Sequence, residues 1–387
     1  MESIREINAA GELAELEGDW RRLLDQTPGA SFFHSLAWLD VYWRHSGAGQ
    51  KLRVLVVLRS GEPTGIVPLV VRSEKTKVGR LRLLTYPLDA WGSFYGPIGA
   101  NPAAILRAGL EHVRRIERDW DVLEPRWLGA PGTVPGDTGR AMREAGFQAI
   151  PSVFDRTAIL EFRGRWEEHV ARQPRRWRRN LRADVRRLTR EWGADFVRYR
   201  PGGRALGEED PRWDLYDACE EVARRSWQGR STTGTTLSHE SVRPLLRELH
   251  AAAAAEGAVD LNLLLLDGEP AAFVYNYHYQ GCLYGLRMGY DAERCPAGAG
   301  NALLDWVIRD TFARGDVLYD LGVGSLDWKR NFATRIVPIL RYSHCHPTAP
   351  RAQLLRLKRW IDSRSMAPCE ALGCGIDLPA AGEMTPV

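Results

Sequence analysis

Two hydrophobic periods alternate along this chain, and the stretches where period two takes over mark its strands. The strongest block lies in the second half. Val259 to Leu266, Ala271 to Tyr279 and Leu283 to Tyr290 are aliphatic, β-branched and aromatic runs separated by Asp267-Gly268 and Gln280-Gly281. Two-residue breaks of this kind join neighbouring strands through tight turns, so the block predicts an antiparallel meander. The Gly/Pro stretch Pro296 to Asn301 then opens a helix with Leu304, Ile308 and Phe312 at i, i+4 and i+8, and Val317 to Val323 is a further strand.

The first half carries a fainter version of the same order. Leu52 to Arg59, the turn Gly61-Glu62-Pro63 and Thr64 to Val71 predict a hairpin. A loop from Tyr86 to Gly99 leads to Asn101-Pro102, where Asn as N-cap and Pro in the first turn start a helix with Leu106, Leu110 and Val113 on one face. Residues 1 to 25 and Phe32 to Trp43 read as helices, Gly129 to Gly139 as a loop and Phe154 to Phe162 as a strand. Between the two blocks, Asp210-Pro211 starts a helix with Leu215, Cys219 and Val222 inward, and a second helix covers Ser241 to Glu256. The reading is therefore α/β with mixed, α+β sheets in tandem domains, the second better defined. Residues 1–165 are expected to form a degenerate first domain, 166–346 the second domain, and 347–387 a terminal helix and disordered tail.

A length of 387 residues supports two or three domains. At 44% hydrophobic and 26% charged residues the chain can bury ordinary cores. No window approaches the 18 or so apolar residues of a membrane span, and Met1 to Ile7 mixes acids into the start, unlike a secretory signal, so a cytoplasmic location is expected. Six cysteines without Cys-x-x-Cys spacing read as reduced thiols. Of the 53 basic residues only five are lysine, so arginine runs count for less here than elsewhere.

Two features carry candidate chemistry by themselves. The helix start at Gly298, Gly300 and Asn301 offers unpaired N–H groups and a positive dipole end to an anion, although its spacing is neither a dinucleotide fingerprint nor a P-loop. Arg172 to Arg190 holds nine arginines against one aspartate, which fits either a solvated helix face or a stripe meeting phosphates of coenzyme A, a nucleotide-linked acceptor or tRNA. His344 and His346 alternate on one strand face, but no third ligand is near, so no metal is expected.

The wider pattern carries a resemblance. Ser226-Trp227-Gln228-Gly229, Leu266 to Phe273, Leu283 to Asp291, Ala299 to Leu304, Tyr319-Asp320-Leu321-Gly322 and Trp328-Lys329-Arg330 follow one another in an order that resembles the GNAT-fold acyltransferases. The branch it looks most like is the cellulose-biosynthesis-associated acetyltransferases, with a relation to the Fem-type aminoacyl transferases. The likeness covers about residues 165 to 345 well and 20 to 160 loosely, and Arg176 to Arg182 looks like the basic helix that opens the second domain.

The resemblance implies a site. Leu283 to Tyr290 and Val317 to Val323 would splay, the pantetheine arm of an acyl-CoA, acetyl-CoA for example, would fill the gap, and its pyrophosphate would sit on Gly298, Gly300 and Asn301 with Arg294 adding charge. The chain departs from the usual glycine loop, since its glycines fall four and six positions after Arg294. Asp320 is the leading general base, with His278 another candidate, and Lys329 is expected near the donor phosphate or the reaction centre. Trp91, Tyr95, Trp227, Tyr290 and Asp327 are candidates for holding the acceptor, Asp327 also reading as an N-cap. The expected reaction is transfer of an acyl group from acyl-CoA, a cosubstrate and not a tightly bound cofactor, to an amine or hydroxyl of a small or carbohydrate-like acceptor. Aminoacyl-tRNA is the alternative donor, and a non-catalytic module binding a nucleotide sugar or a protein is the alternative of another class.

Overall fold

The computed structural model describes residues 2–365 except Ala90, Pro131 and Pro135. Its first half runs β1 (Glu2–Ile7), α1 (Glu17–Asp25), α2 (Leu36–Ser46), β2 (Lys51–Arg59), β3 (Glu62–Thr76), β4 (Gly79–Thr85), α3 (Pro102–Arg115), β5 (Val122–Leu123), α4 (Asp137–Glu144) and β6 (Ile150–Glu161). Two helices follow, α5 (Trp166–Arg172) and α6 (Arg175–Glu191). The second half repeats the order: β7 (Ala194–Tyr199), α7 (Trp213–Arg225), α8 (Arg243–Ala255), β8 (Val259–Leu266), β9 (Glu269–Tyr279), β10 (Cys282–Tyr290), α9 (Ala299–Arg314), β11 (Leu318–Val323), α10 (Leu326–Lys329) and β12 (Arg335–Cys345). Helix α11 (Pro350–Ser365) closes the described chain.

All strands belong to one 12-stranded sheet in the order β1-β2-β3-β4-β5-β12-β6-β11-β10-β9-β8-β7. Each half contributes four antiparallel strands and a fifth parallel to the fourth, reached through α3 in one half and α9 in the other. The last strand of each half is delivered to the other: β6 pairs with β11, and β12 pairs with β5. The predicted mixed α/β fold with tandem organisation is present.

The local reasons are those of the sequence. Asp267-Gly268 and Gln280-Gly281 take positive φ at both positions, as tight hairpin turns require. Asn101 Oδ1 accepts from the Ala104 N–H at 3.2 Å and so caps α3. One core joins the halves: Phe32 and Phe33 pack against Tyr277 with ring centroids 4.8 and 5.6 Å apart, and the Tyr284 hydroxyl donates to the Ala30 carbonyl at 3.2 Å. Where residues 1 to 25 read as a helix, Glu2–Ile7 is instead an edge strand on β2, and the α-helix starts at Glu17. The loop expected to reach Gly139 ends earlier, because α4 starts at Asp137. The expected tail falls from residue 366 onward, outside the described residues.

Candidate active site

The parallel pair β10 and β11 is in register only from Cys282↔Leu318 to Tyr284↔Asp320, while β10 continues to Tyr290 and β11 to Val323. Both strands are irregular just past the last pair, β10 between Gly285 and Arg287 and β11 between Asp320 and Val323, so they turn away from each other. Glycines occupy the crotch of this fork. Gly322 has φ +81°, and a Cβ there would lie 2.6 Å from the Gly285 carbonyl oxygen; a Cβ on Gly285 would lie 3.0 Å from the Asp320 carbonyl oxygen. A cavity of about 600 Å³ opens through the fork, between the start of α9 on one side of the sheet and the α7–α8 loop on the other.

Lys329 is the buried cation of the cavity wall. Its side chain reaches back from α10, and Nζ donates to the Gly322 and Val323 carbonyls at 2.7 and 2.9 Å. An ammonium has three N–H groups, so one is left over. Burial pulls its pKa down to about 8, with Asp320 opposing and Arg287 adding to the fall.

Asp320 is wholly buried and does not line the cavity. Its Oδ1 accepts from the Thr157 hydroxyl and, at 3.0 Å, from the Gly322 N–H. Burial raises its pKa against the Ser93 and Thr157 hydroxyls, the Gly322 N–H and Lys329. Strand alternation sets its direction: Tyr319 and Leu321 pack on the α9 side of the sheet, so Asp320 points to the opposite face. Asp320 therefore stands behind the cavity wall, where its charge acts on Lys329.

Arg287 lines the cavity and lies over the Trp91 ring at 4.0 Å, donating to the Thr235 carbonyl. Burial pulls its pKa down to about 10. Trp91 is thus a support behind Arg287, its indole N–H tied to the Gly234 carbonyl at 3.1 Å, and it is not itself on the cavity wall. At the start of α9, Gly298, Gly300 and Asn301 line the cavity, and Trp227 and Tyr290 stand elsewhere at its wall with 62% and 44% exposure. An acid also reaches this corner. A Cβ at Gly298 would collide with the carboxylate of Asp184 from α6, which pairs with Arg187 at 3.3 Å and whose pKa burial raises.

Four expected residues lie elsewhere. His278 is at the closed end of the strand pair, its Nε2 3.0 Å from Asp316, because residue 278 pairs with Leu283 before the fork opens. Arg294 turns to Glu269 and Asp291, at 3.5 and 3.9 Å, and not to the α9 start. Tyr95 is buried, stacked on His34, beside a smaller cavity of about 260 Å³ in the first half. Asp327 is fully exposed in the first turn of α10, whose N-cap is Ser325. Among the described residues no group of three potential ligands surrounds a metal position. Sequence reasoning missed Arg287, Thr157 and Asp184. The last had a signal, as the lone acid in an arginine run.

Residues 175–330 match the family model of an acetyltransferase (GNAT) domain. No curated protein matches the chain in sequence. Among solved structures, FemX superposes with a TM-score of 0.58 at 12% identity, over 91% of this chain and 99% of that one. L-PGS from Bacillus licheniformis superposes with a TM-score of 0.52 at 14% identity, over 88% and 96% of the two chains. Residues 175–330 are therefore similar to a GNAT acetyltransferase domain, and at these identities the structural likeness speaks for the fold alone.

Proposed function

We propose that this protein transfers an acyl group from acyl-CoA to an amine of a small acceptor, in the cavity between β10 and β11. The observation that carries the reading is the fork: two adjacent parallel strands that stop pairing after Tyr284 and Asp320 and leave an opening through the sheet. The freed strand edges suit a thin linear donor lying as an added strand, with N–H and C=O groups available for it. Gly298, Gly300 and Asn301 would face the diphosphate. The donor carbonyl would then lie near the Lys329 ammonium, whose remaining N–H meets the negative charge that develops on oxygen. The acceptor nitrogen attacks the carbonyl carbon, the carbon–sulfur bond breaks, and the amine proton leaves to solvent. Arg287 and Thr235, across the fork from α9, form the acceptor side. Free thiol release from acetyl-CoA with a panel of amines tests this; no release with any amine, together with no acetyl-CoA binding, sinks it.

One observation favours a second reading, an aminoacyl-tRNA donor. Helix α6 holds eight arginines, and among the described residues only Arg187 has a carboxylate within 4.0 Å. Most other helices of this chain pair their arginines, as Arg309 and Arg314 of α9 do with Asp305 and Asp310. An unpaired basic row beside the cavity suits a polyphosphate better than one diphosphate. Transfer from charged tRNA without thiol release would select this reading.

A further inference from the structure

Helix α11 has two apolar faces, and one of them is covered. Ala352 and Leu355 pack with Leu81, Leu83, Val122 and Cys345 beneath the helix. On the other side Leu354, Leu357 and Ile361 are 54%, 51% and 51% exposed, with Trp360 beside them at 51%. Positions 354, 357 and 361 fall at i, i+3 and i+7, so they form one stripe along the outer surface. Single exposed leucines are ordinary in folded proteins; a continuous row opposite a helix's buried face is an interaction surface.

The rim of that stripe is basic. Arg351, Arg356 and Lys358 lie on α11 itself. The tip of the β3–β4 hairpin brings exposed Lys75, Lys77 and Arg80 to the same helix: Lys77 stands 3.6 Å from Asp362, and the Arg351 side chain passes within 4 Å of where a Cβ of Gly79 would be. Three of the chain's five lysines are therefore gathered on one face of a protein that otherwise uses arginine. Asp362 is the one acid on the exposed part of α11, and Lys77 answers it.

An apolar row with a tryptophan at its margin and a cationic rim is the composition of a helix lying in a membrane interface. The apolar side chains enter the acyl boundary while lysine and arginine meet lipid phosphates. A nucleic acid would satisfy the rim and leave the leucines in water; a second protein would cover the leucines without needing this density of cations. We propose that α11 and the β3–β4 tip dock this protein on the surface of an anionic phospholipid bilayer, lying in its plane. No helix among the described residues is long and apolar enough to cross one.

Cosedimentation of the full chain with phosphatidylcholine vesicles, with and without phosphatidylglycerol, is the test. Binding is expected to the anionic vesicles only, to weaken as salt rises, and to fall at least tenfold in Leu354→Glu/Ile361→Glu. Lys75→Glu/Lys77→Glu should lower it by more than the roughly fivefold that one cation near the surface contributes. Circular dichroism melts keep the reading clean. If the leucine–isoleucine variant melted early, the lysine pair and the salt dependence would decide alone. Absence of binding to anionic vesicles at low salt overturns the proposal. So does loss of binding with the lysine variant but not with the intact-folding leucine–isoleucine variant, which would mean a polyanion. A vesicle-independent dimer that the apolar variant dissolves would assign the face to a second copy of the chain and also overturn it.

Discussion

Replacing Lys329 by methionine removes the one buried lysine of the cavity while keeping most of its stem, and two readouts follow from its surroundings. With its pKa pulled down to about 8, the group is an ammonium in roughly nine molecules of ten at pH 7. If that ammonium meets charge on the donor carbonyl, turnover should fall about 10²–10³-fold in Lys329→Met, as for loss of one oxyanion donor. In the parent, turnover should decline as pH rises through about 8, where the charge is lost. Stability moves the other way. The unfolded chain keeps the proton up to the ordinary value of 10.5, so between about 8 and 10.5 the unfolded state binds more protons and stability rises with pH. At 5% exposure solvent screening is slight, and between about pH 7.5 and 9.5 the gain is about 2 kcal/mol, which Lys329→Met should lack. Stopped-time thiol release across pH and urea denaturation at the two pH values measure both. A turnover that climbs through pH 8 in the parent would make the lysine a base, and equal urea midpoint shifts in parent and variant would refute the burial argument.

Asp320→Asn removes the carboxylate that holds the Lys329 charge, so the falling limb of the pH–rate profile should move to lower pH while the fold survives; an unmoved limb uncouples the two residues. Asp184→Asn takes a negative charge from the α9 start and should tighten acyl-CoA by about fivefold, from about 1 kcal/mol of partly screened repulsion, read as a lower KM with kcat little changed. Gly322→Ala puts a Cβ 2.6 Å from the Gly285 carbonyl at a residue with φ +81°, and should cost about 1–3 kcal/mol in urea unfolding together with loss of donor binding. Asp260→Ala leaves Arg198 and Arg200 without their shared buried carboxylate, and an unfolding loss of about 3–5 kcal/mol is expected from calorimetry or urea.

The elements held by local chemistry were legible in the sequence. Turn residues at 267–268 and 280–281 set the meander, and Gly298 with Asn301 marked the start of α9. Ile4 and Ile7, three apart, satisfy a helix as readily as a strand, and only pairing with β2 decides between them. The fork was expected from resemblance and not from pattern, because it depends on the register between residues some 35 positions apart. The same holds for side-chain roles. Asp320, Lys329 and the α9 glycines are close to the fork, while His278 sits at the closed end of its strand and Arg294, in the loop before α9, turns to Glu269; strand register and loop path, not residue type, decide both. Arg287 looked like any other arginine in a chain full of them until Trp91, nearly two hundred positions earlier, came to lie under it.

The traded strands have a consequence for how this protein can be handled. With β6 lodged between β11 and β12, the flank of the second half is built from the last strand of the first, and no cut near residue 165 yields a fragment with all its ladder partners. As the chain is synthesised from its N-terminus, β5 keeps an open edge until β12 is made, so closure of the sheet waits for β12. Melting should accordingly be a single concerted event.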